Sequence, residues 1–315
     1  MTPTIGKPII AIVGGFLGAG KTTLMLNAAR LLKQRGKRVA AILNDQGDDL
    51  VDTHYAASLG ISCDQVTGGC FCCRFPDLVD AASRLLEYKP DIIFAEAVGS
   101  CTDIVATTLQ PLLRDHRESF EIAPLTVVRH PRPSFDNPDL DFLHQNQLAE
   151  ADLIFERSES VDAWIDRLLS GAGPVGLKPL DIDYARYAEA EAALAWLNLR
   201  VTAQPTPPLS PPMLIGPLLD RLEPQIRIVH LKVFVESDTG YLKAALTGNG
   251  RDPMVQGALD ASPSARHEIL LNVRALNDPD SLRAIVEREF AALPARLTWR
   301  NVQCFRPSPP APYHR

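Results

Sequence analysis

Apolar and polar positions alternate along the first half of the chain so as to predict strands and helices in turn. Ile9-Ile10-Ala11-Ile12-Val13 is an unbroken apolar run, as expected of a strand covered on both faces. Residues 22–35 have helical periodicity and stop at Gly36, a residue suited to a helix C-cap. Arg38-Val39-Ala40-Ala41-Ile42-Leu43 reads as a second strand, and residues 77–88 as a helix. Asp91-Ile92-Ile93-Phe94-Ala95, Leu125-Thr126-Val127-Val128 and Asp152-Leu153-Ile154-Phe155 are further strands, each after a helix-like segment. This alternation predicts an α/β fold: a mostly parallel sheet with helices on both faces, binding ligands at the C-terminal strand ends.

The pattern changes near residue 190. Residues 193–201 read as a strand, residues 205–217 are Pro-rich, and part of 213–222 looks helical. Strand patterns over 228–235, 268–273 and 297–304 and a helix over 279–293 complete a β-α-β-β-α-β order, the ferredoxin-like arrangement. The expected domains are 1–185, a nucleotide-binding unit, and 190–305, a smaller α/β unit. Residues 306–315 are a Pro-rich tail expected to be disordered.

Composition narrows the function classes. With 315 residues and 46% hydrophobic content the chain can bury a sizeable core. A net charge of −6 argues against nucleic acid as a partner. No apolar run reaches membrane-spanning length, and Met1-Thr2-Pro3-Thr4-Ile5 leads directly toward a core strand rather than reading as a signal peptide. Six cysteines are too few for a disulfide scaffold, and their clustering points to metal or redox chemistry in the cytoplasm.

Gly15-Phe16-Leu17-Gly18-Ala19-Gly20-Lys21-Thr22 fills every position of the phosphate-binding template G-x-x-x-x-G-K-[ST], between a strand and a helix. Gly15, Gly18, Ala19, Gly20 and Thr23 supply the loop and first turn around the phosphates, where backbone N–H groups and the helix N-terminus favour anions. Lys21 is the candidate for the β- and γ-phosphates, and the Thr22 hydroxyl for Mg²⁺.

Gly68-Gly69-Cys70-Phe71-Cys72-Cys73 places three thiols within four residues, behind two glycines that permit a turn. Converging thiolates suit Zn²⁺ or another soft metal ion; a redox pair or free buried thiols is the other reading. Asn44-Asp45-Gln46-Gly47-Asp48-Asp49 closes the second strand, where Asp45 could support Mg²⁺ or a transition metal, or simply form a solvated turn. Glu96-Ala97-Val98-Gly99 closes the strand from Asp91, with Glu96 placed to act on water or the Mg²⁺ shell and Gly99 to meet the γ-phosphate. Asp103 is a candidate helix cap; Cys101 could join the thiol cluster in space, but a buried inert thiol is the favoured reading.

Taken in this order and at these distances, the P-loop, N-D-Q-G, G-G-C-F-C-C and E-x-x-G elements resemble the CobW-like P-loop GTPases, relatives of the nickel-insertion GTPases that serve urease and hydrogenase. The resemblance covers residues 8–160. It implies a nucleotide-dependent metallochaperone or metal-cofactor assembly factor with Lys21 and Thr22 at phosphate and Mg²⁺, Glu96 near the attacking water, and Cys70, Cys72 and Cys73 around Zn²⁺ or Co²⁺. A client metalloprotein or cofactor-assembly protein, such as one serving cobalamin, is the implied partner, with a homodimer as one arrangement. The chain departs from this family where guanine is read: Glu156-Arg157-Ser158-Glu159 replaces N-K-x-D, leaving Glu159 as the base-reading carboxylate, and Arg129-His130 replaces an Asp. No Ser-Ala guanine loop stands out near residues 171–179. GTP is thus the expected nucleotide, with ATP open. Two other readings remain: a non-hydrolysing nucleotide or metal sensor, and an ATP-using small-molecule enzyme.

Overall fold

A computed structural model describes residues 6–132, 135–171, 173–250 and 252–315; the expected lead-in from Met1 to Ile5 lies outside them. The chain divides into two compact units: Met1–Gln46, Ala56–Glu191 and Pro309–Arg315 in the first, Gly47–Tyr55 and Ala192–Ser308 in the second.

The first unit holds strands β1 (Ile9–Gly14), β2 (Val39–Asn44), β3 (Ser62–Val66), β4 (Ile92–Glu96), β5 (Glu121–Ile122), β6 (Thr126–Val128) and β7 (Leu153–Phe155). Their order is β3-β2-β4-β1-β6-β7, with β5 beside β1, and the paired strands run parallel. Every residue of β2 and β4 is buried, so both faces of the central sheet are covered, as their unbroken apolar sequences require. The covering helices are α1 (Lys21–Gln34), α3 (Phe75–Leu85), α4 (Gln110–Asp115), α5 (Pro138–Glu150), α6 (Val161–Leu169) and α7 (Tyr184–Ala192), while α2 (Val51–Ser58) is divided between the units. Trp164 of α6 stacks on Phe94 of β4 at 5.8 Å and donates its indole N–H to Thr126 at 3.1 Å. Strand β3 is half-exposed and carries Ser62, Asp64 and Gln65, which hid it from a search for apolar runs.

The second unit contains β8 (Ala195–Pro205), α8 (Pro211–Leu222), β9 (Ile228–Ser237), β10 (Gly240–Leu246), β11 (Met254–Gly257), β12 (His267–Ala275), α9 (Pro279–Ala291) and β13 (Ala295–Phe305). Its antiparallel sheet has the order β11-β10-β9-β12-β8-β13. Strands β8, β9, β12 and β13 and the two helices reproduce the expected ferredoxin-like order; β10 and β11 are an added pair at the sheet edge. Leu197, Leu199 and Val201 of β8 face Leu218 of α8 and Val286 and Phe290 of α9 in one core. On the other face of β8, Asn198 holds the Gly47–Tyr55 segment, donating to Asp48 O at 2.7 Å. On β12, Asn272 accepts from Val51 N–H at 3.0 Å. Asp52 is buried between Lys232 and Lys243, whose ammonium charges outweigh burial and hold its carboxyl below the usual range.

One expectation fails here. The tail is placed, not disordered: Pro309–Arg315 belongs to the first unit, with Tyr313 N–H donating to Cys72 O at 2.7 Å and Tyr313 stacked on Phe75. Pro309, Pro310 and Pro312 restrict the unbound tail, so ordering it costs less entropy. Among the described residues no helix is long and apolar enough to cross a membrane.

Candidate functional site

The P-loop leaves β1 through Gly15, whose φ of +131° suits glycine. A Cβ there would lie 2.6 Å from Val128 O, so the turn is also too close to β6 for any side chain. Gly20 caps α1 in the left-handed conformation, and Gly18 also has positive φ. Lys21 Nζ donates to Gly15 O at 2.8 Å, curling the ammonium back into the loop. Thr22 Oγ1 donates to Glu96 Oε2 at 2.8 Å, and Glu96 Oε1 stands 3.9 Å from Lys21 Nζ. Lys21, Thr22 and Glu96 therefore form one buried constellation from two neighbouring strand ends. Ala19 is buried in the loop and Thr23 lies in the first turn of α1. Gly99 sits against the P-loop: a Cβ would meet Leu17 Cδ2 at 2.6 Å and Leu17 Cα at 3.1 Å.

The thiol loop is held from β2. Asn44 Nδ2 donates to Val66 O at 2.9 Å and Gly69 O at 2.7 Å, and Asn44 Oδ1 accepts from Phe71 N–H at 3.0 Å. These three bonds satisfy the amide and fix the residues on both sides of Cys70. Asn44 was legible only as part of a turn motif, because nothing in its sequence neighbourhood reveals a contact 27 residues away.

The sulfur atoms lie 2.7 Å apart for Cys70–Cys72, 3.6 Å for Cys70–Cys73, 3.7 Å for Cys72–Cys73 and 3.9 Å for Cys72–Cys101. Cys101, expected to be inert, belongs to this cluster: with Cys70 and Cys72 its ligand atom lies within a 4.8 Å group, and all three residues are buried. The loop after β4 returns toward Cys72 and brings this sulfur beside it. Cys73 is half-buried at the cluster's rim, where its Sγ accepts from Ala311 N–H at 3.3 Å. Asp45 is not in this group; its N–H donates to Val66 O. Asp48 and Asp49, grouped with Asp45 in the sequence, instead bind Gln303 and Asn301 within the second unit.

Contacts with the Cys70 and Cys72 thiols hold Cys101 down to about 6, while the same contacts push Cys72 up. Cys73 is raised to about 11, chiefly by Cys70. A cluster with one favoured thiolate must shed its other protons to bind a cation. Tetrahedral thiolates about 2.3 Å from zinc stand roughly 3.8 Å apart, close to three of the four spacings. The Cys70–Cys72 pair would need to open by about 1 Å. The donor set thus fits Zn²⁺ or a similar soft ion.

Two carboxyls are buried in the same unit. Glu150 accepts from Val105 N–H and Thr102 Oγ1, and desolvation raises it to about 8. Glu191 accepts from Ser100 Oγ and Gln46 Nε2 and is likewise raised to about 8 by burial. Asp103 does not cap with its side chain but accepts from Tyr184 Oη at 2.6 Å.

After β7, where a base-reading motif was expected, Glu159 pairs with Arg167 at 3.0 Å and Glu156 with Arg129 at 2.6 Å. His130 packs beside Phe16 and Phe135, and burial lowers it to about 4. Ala172, within the 171–179 stretch where a guanine loop would fall, lies outside the described residues.

A strand–P-loop–helix unit with a strand-end glutamate at the phosphate-site threonine is the architecture of P-loop nucleotide-binding proteins. Within that class, residues 9–157 match the family model CobW/HypB/UreG, nucleotide-binding domain. The chain is 27% identical to zinc chaperone CobW of Pseudomonas aeruginosa over 51% of each chain. It is 38% identical to zinc chaperone YjiA of Escherichia coli over 30% of each chain. It thus matches about half or less of these relatives' length. Among solved structures, zinc-bound YjiA GTPase from E. coli is 14% identical, covering 91% of this chain and 99% of that one, at a TM-score of 0.33. Nickel-bound HypB from Helicobacter pylori is 18% identical, covering 52% and 75%, at 0.34.

Proposed function

We propose that this protein is a nucleotide-dependent metallochaperone: it binds GTP with Mg²⁺ at the P-loop, binds Zn²⁺ or a related transition metal at the C-x-C-C loop, and delivers the metal to a client. The observation that carries the reading is the gathering of the Cys70, Cys72 and Cys101 sulfurs within 4.8 Å of one another, with Cys73 beside Cys70 and Cys72, in the unit that also carries Lys21, Thr22 and Glu96. The zinc-chaperone relatives support zinc as the cargo.

In this reading the loop glycines, Ala19 and Thr23 surround the phosphates and Lys21 gives up its contact with Gly15 O to neutralise their charge. Thr22 would ligate Mg²⁺, which supplies charge neutralisation at the phosphates. Glu96, already accepting from Thr22, is placed beside that shell and holds or orients a water there. Gly99 senses the phosphate end through its tight packing on Leu17. Asp45 is assigned a supporting place at the end of β2, and Glu159 can read the base only by exchanging Arg167 for the guanine edge. That exchange favours a relaxed GTP preference, with ATP as a competitor. Metal release serves a client protein that the second unit helps select, from a monomer or a homodimer.

The test is titration of reduced protein with Zn²⁺, with and without Mg²⁺ and GTP. Binding of about one zinc per chain, lost in the Cys70, Cys72 and Cys73 serine variant while GTP binding persists, is expected. Equal zinc uptake by that variant would refute the metal assignment.

A further inference from the structure

The loop leaving β4 carries groups that serve both sites. At its start Glu96 accepts from Thr22 of the phosphate-binding helix. Five residues later the Cys101 sulfur stands 3.9 Å from that of Cys72. Between them Gly99 touches the P-loop so closely that even a Cβ would meet the Leu17 backbone at 3.1 Å. Gln147 ties the loop together, its Nε2 donating to Gly99 O at 3.0 Å and Cys101 O at 2.9 Å. Cys101 N–H closes the intervening turn onto Val98 O.

We propose that Cys101 is a fourth ligand to the cargo metal and that the Glu96–Cys101 loop makes its engagement depend on the nucleotide site. The inference rests on the metal reading above. An inert buried cysteine packs on carbon, whereas Cys101 lies among the sulfurs of a loop that alone offers three ligands. Four thiolates make a closed site that retains its ion; three leave a position for an incoming ligand. Leu17 cannot shift toward Gly99 without moving it, and Gln147 carries that shift to Cys101 as part of the same tied loop. Withdrawal of one sulfur converts a holding site into a transfer site without disturbing the other three.

Cobalt(II) is the probe, because its sulfur-to-metal charge-transfer absorption grows with the number of thiolates. Wild type is expected to show a four-thiolate spectrum, and Cys101→Ser to lose about a quarter of the band. Adding Mg²⁺ with a non-hydrolysable GTP analogue should diminish the wild-type band and leave the variant's unchanged. Zinc X-ray absorption of the wild type counts sulfurs without relying on any variant; four supports the proposal and three overturns it. An unaltered band in Cys101→Ser overturns Cys101 as a ligand while leaving the metal reading intact. Equal nucleotide responses in both proteins overturn the linkage. A wild type without thiolate absorption overturns the metal reading together with this inference.

Discussion

Asn44 is the side chain whose loss should separate the thiol loop's geometry from its chemistry. It supplies no metal ligand, yet holds Gly69 O and Phe71 N–H on either side of Cys70, and Val66 O at the end of β3. Asn44→Ala removes three hydrogen bonds from a side chain that is 8% exposed. At about 1 kcal/mol net for each bond, the loss is roughly 3 kcal/mol, before any penalty for groups left unpaired in the interior. Part falls on global stability and part on the ordered loop that a metal requires. If half or more bears on the loop, zinc affinity falls about 10- to 100-fold, in line with what loss of a supporting partner costs elsewhere. Asn44→Asp keeps an acceptor for Phe71 but turns a carboxylate oxygen on the Val66 and Gly69 carbonyls, and should bind zinc no better than Asn44→Ala. The assay is competition for zinc against a chromogenic chelator at fixed pH, alongside denaturant unfolding of the apo protein. Zinc affinity within twofold of wild type in Asn44→Ala, at an undiminished hydrogen-bond cost to folding, would show that the loop orders itself without β2.

Lys21→Ala should abolish tight nucleotide binding while the chain still folds, at some cost in stability, because the buried ammonium contacts Gly15 O and stands 3.9 Å from Glu96; calorimetric titration checks the binding and denaturant unfolding the fold. Glu96→Gln should slow phosphate release far more than it weakens nucleotide binding, since the proposed role lies in the transition state; equal single-turnover rates would remove Glu96 from that role. Glu150 is raised to about 8 by burial, so between its ordinary range and pH 8 the unfolded chain has released a proton that the folded one keeps. Stability therefore falls as pH rises through that window, with a slope from this group of up to about 1.4 kcal/mol per pH unit, and Glu150→Gln should flatten it in denaturation series from pH 5 to 8. Removing residues 309–315 takes the Ala311 backbone off the Cys73 sulfur; the gain in access should outweigh the lost N–H, which favours the thiolate, and speed alkylation of Cys73, read by mass spectrometry, whereas an unchanged or slower rate would mean the tail does not shield the thiol.

What the sequence revealed follows from how local each signal is. The P-loop and C-x-C-C runs are contiguous, so their residue types and spacing expose their chemistry directly. Strands β1, β2 and β4 were legible because two-sided burial writes an unbroken apolar run. Strand β3, half-exposed and polar, carries no such mark. The hairpin β10–β11 is an edge addition with exposed Met254 and Val255, which the period of a core strand does not describe. Cys101 and Asn44 escaped for another reason: each acts on residues 27 or 29 positions away, and only the parallel sheet, which sets neighbouring strand ends side by side, brings them there. Asn44–Asp49 reads as a strand-end turn, but Asp48, Asp49 and nearby Asp52 are fixed by Gln303, Asn301, Lys232 and Lys243, far along the chain.

A metal-delivery device of this kind requires energetic coupling between nucleotide and metal, which linkage makes reciprocal. The decisive measurement is the zinc dissociation constant of the reduced wild-type protein, by chelator competition, with and without saturating Mg²⁺ and a non-hydrolysable GTP analogue. A change of about tenfold or more, matched by an equal change in nucleotide affinity when zinc is added, is the predicted result. Zinc bound equally well in both conditions would contradict the claim that this chain joins a phosphate site to a thiol site as one metal-delivery device.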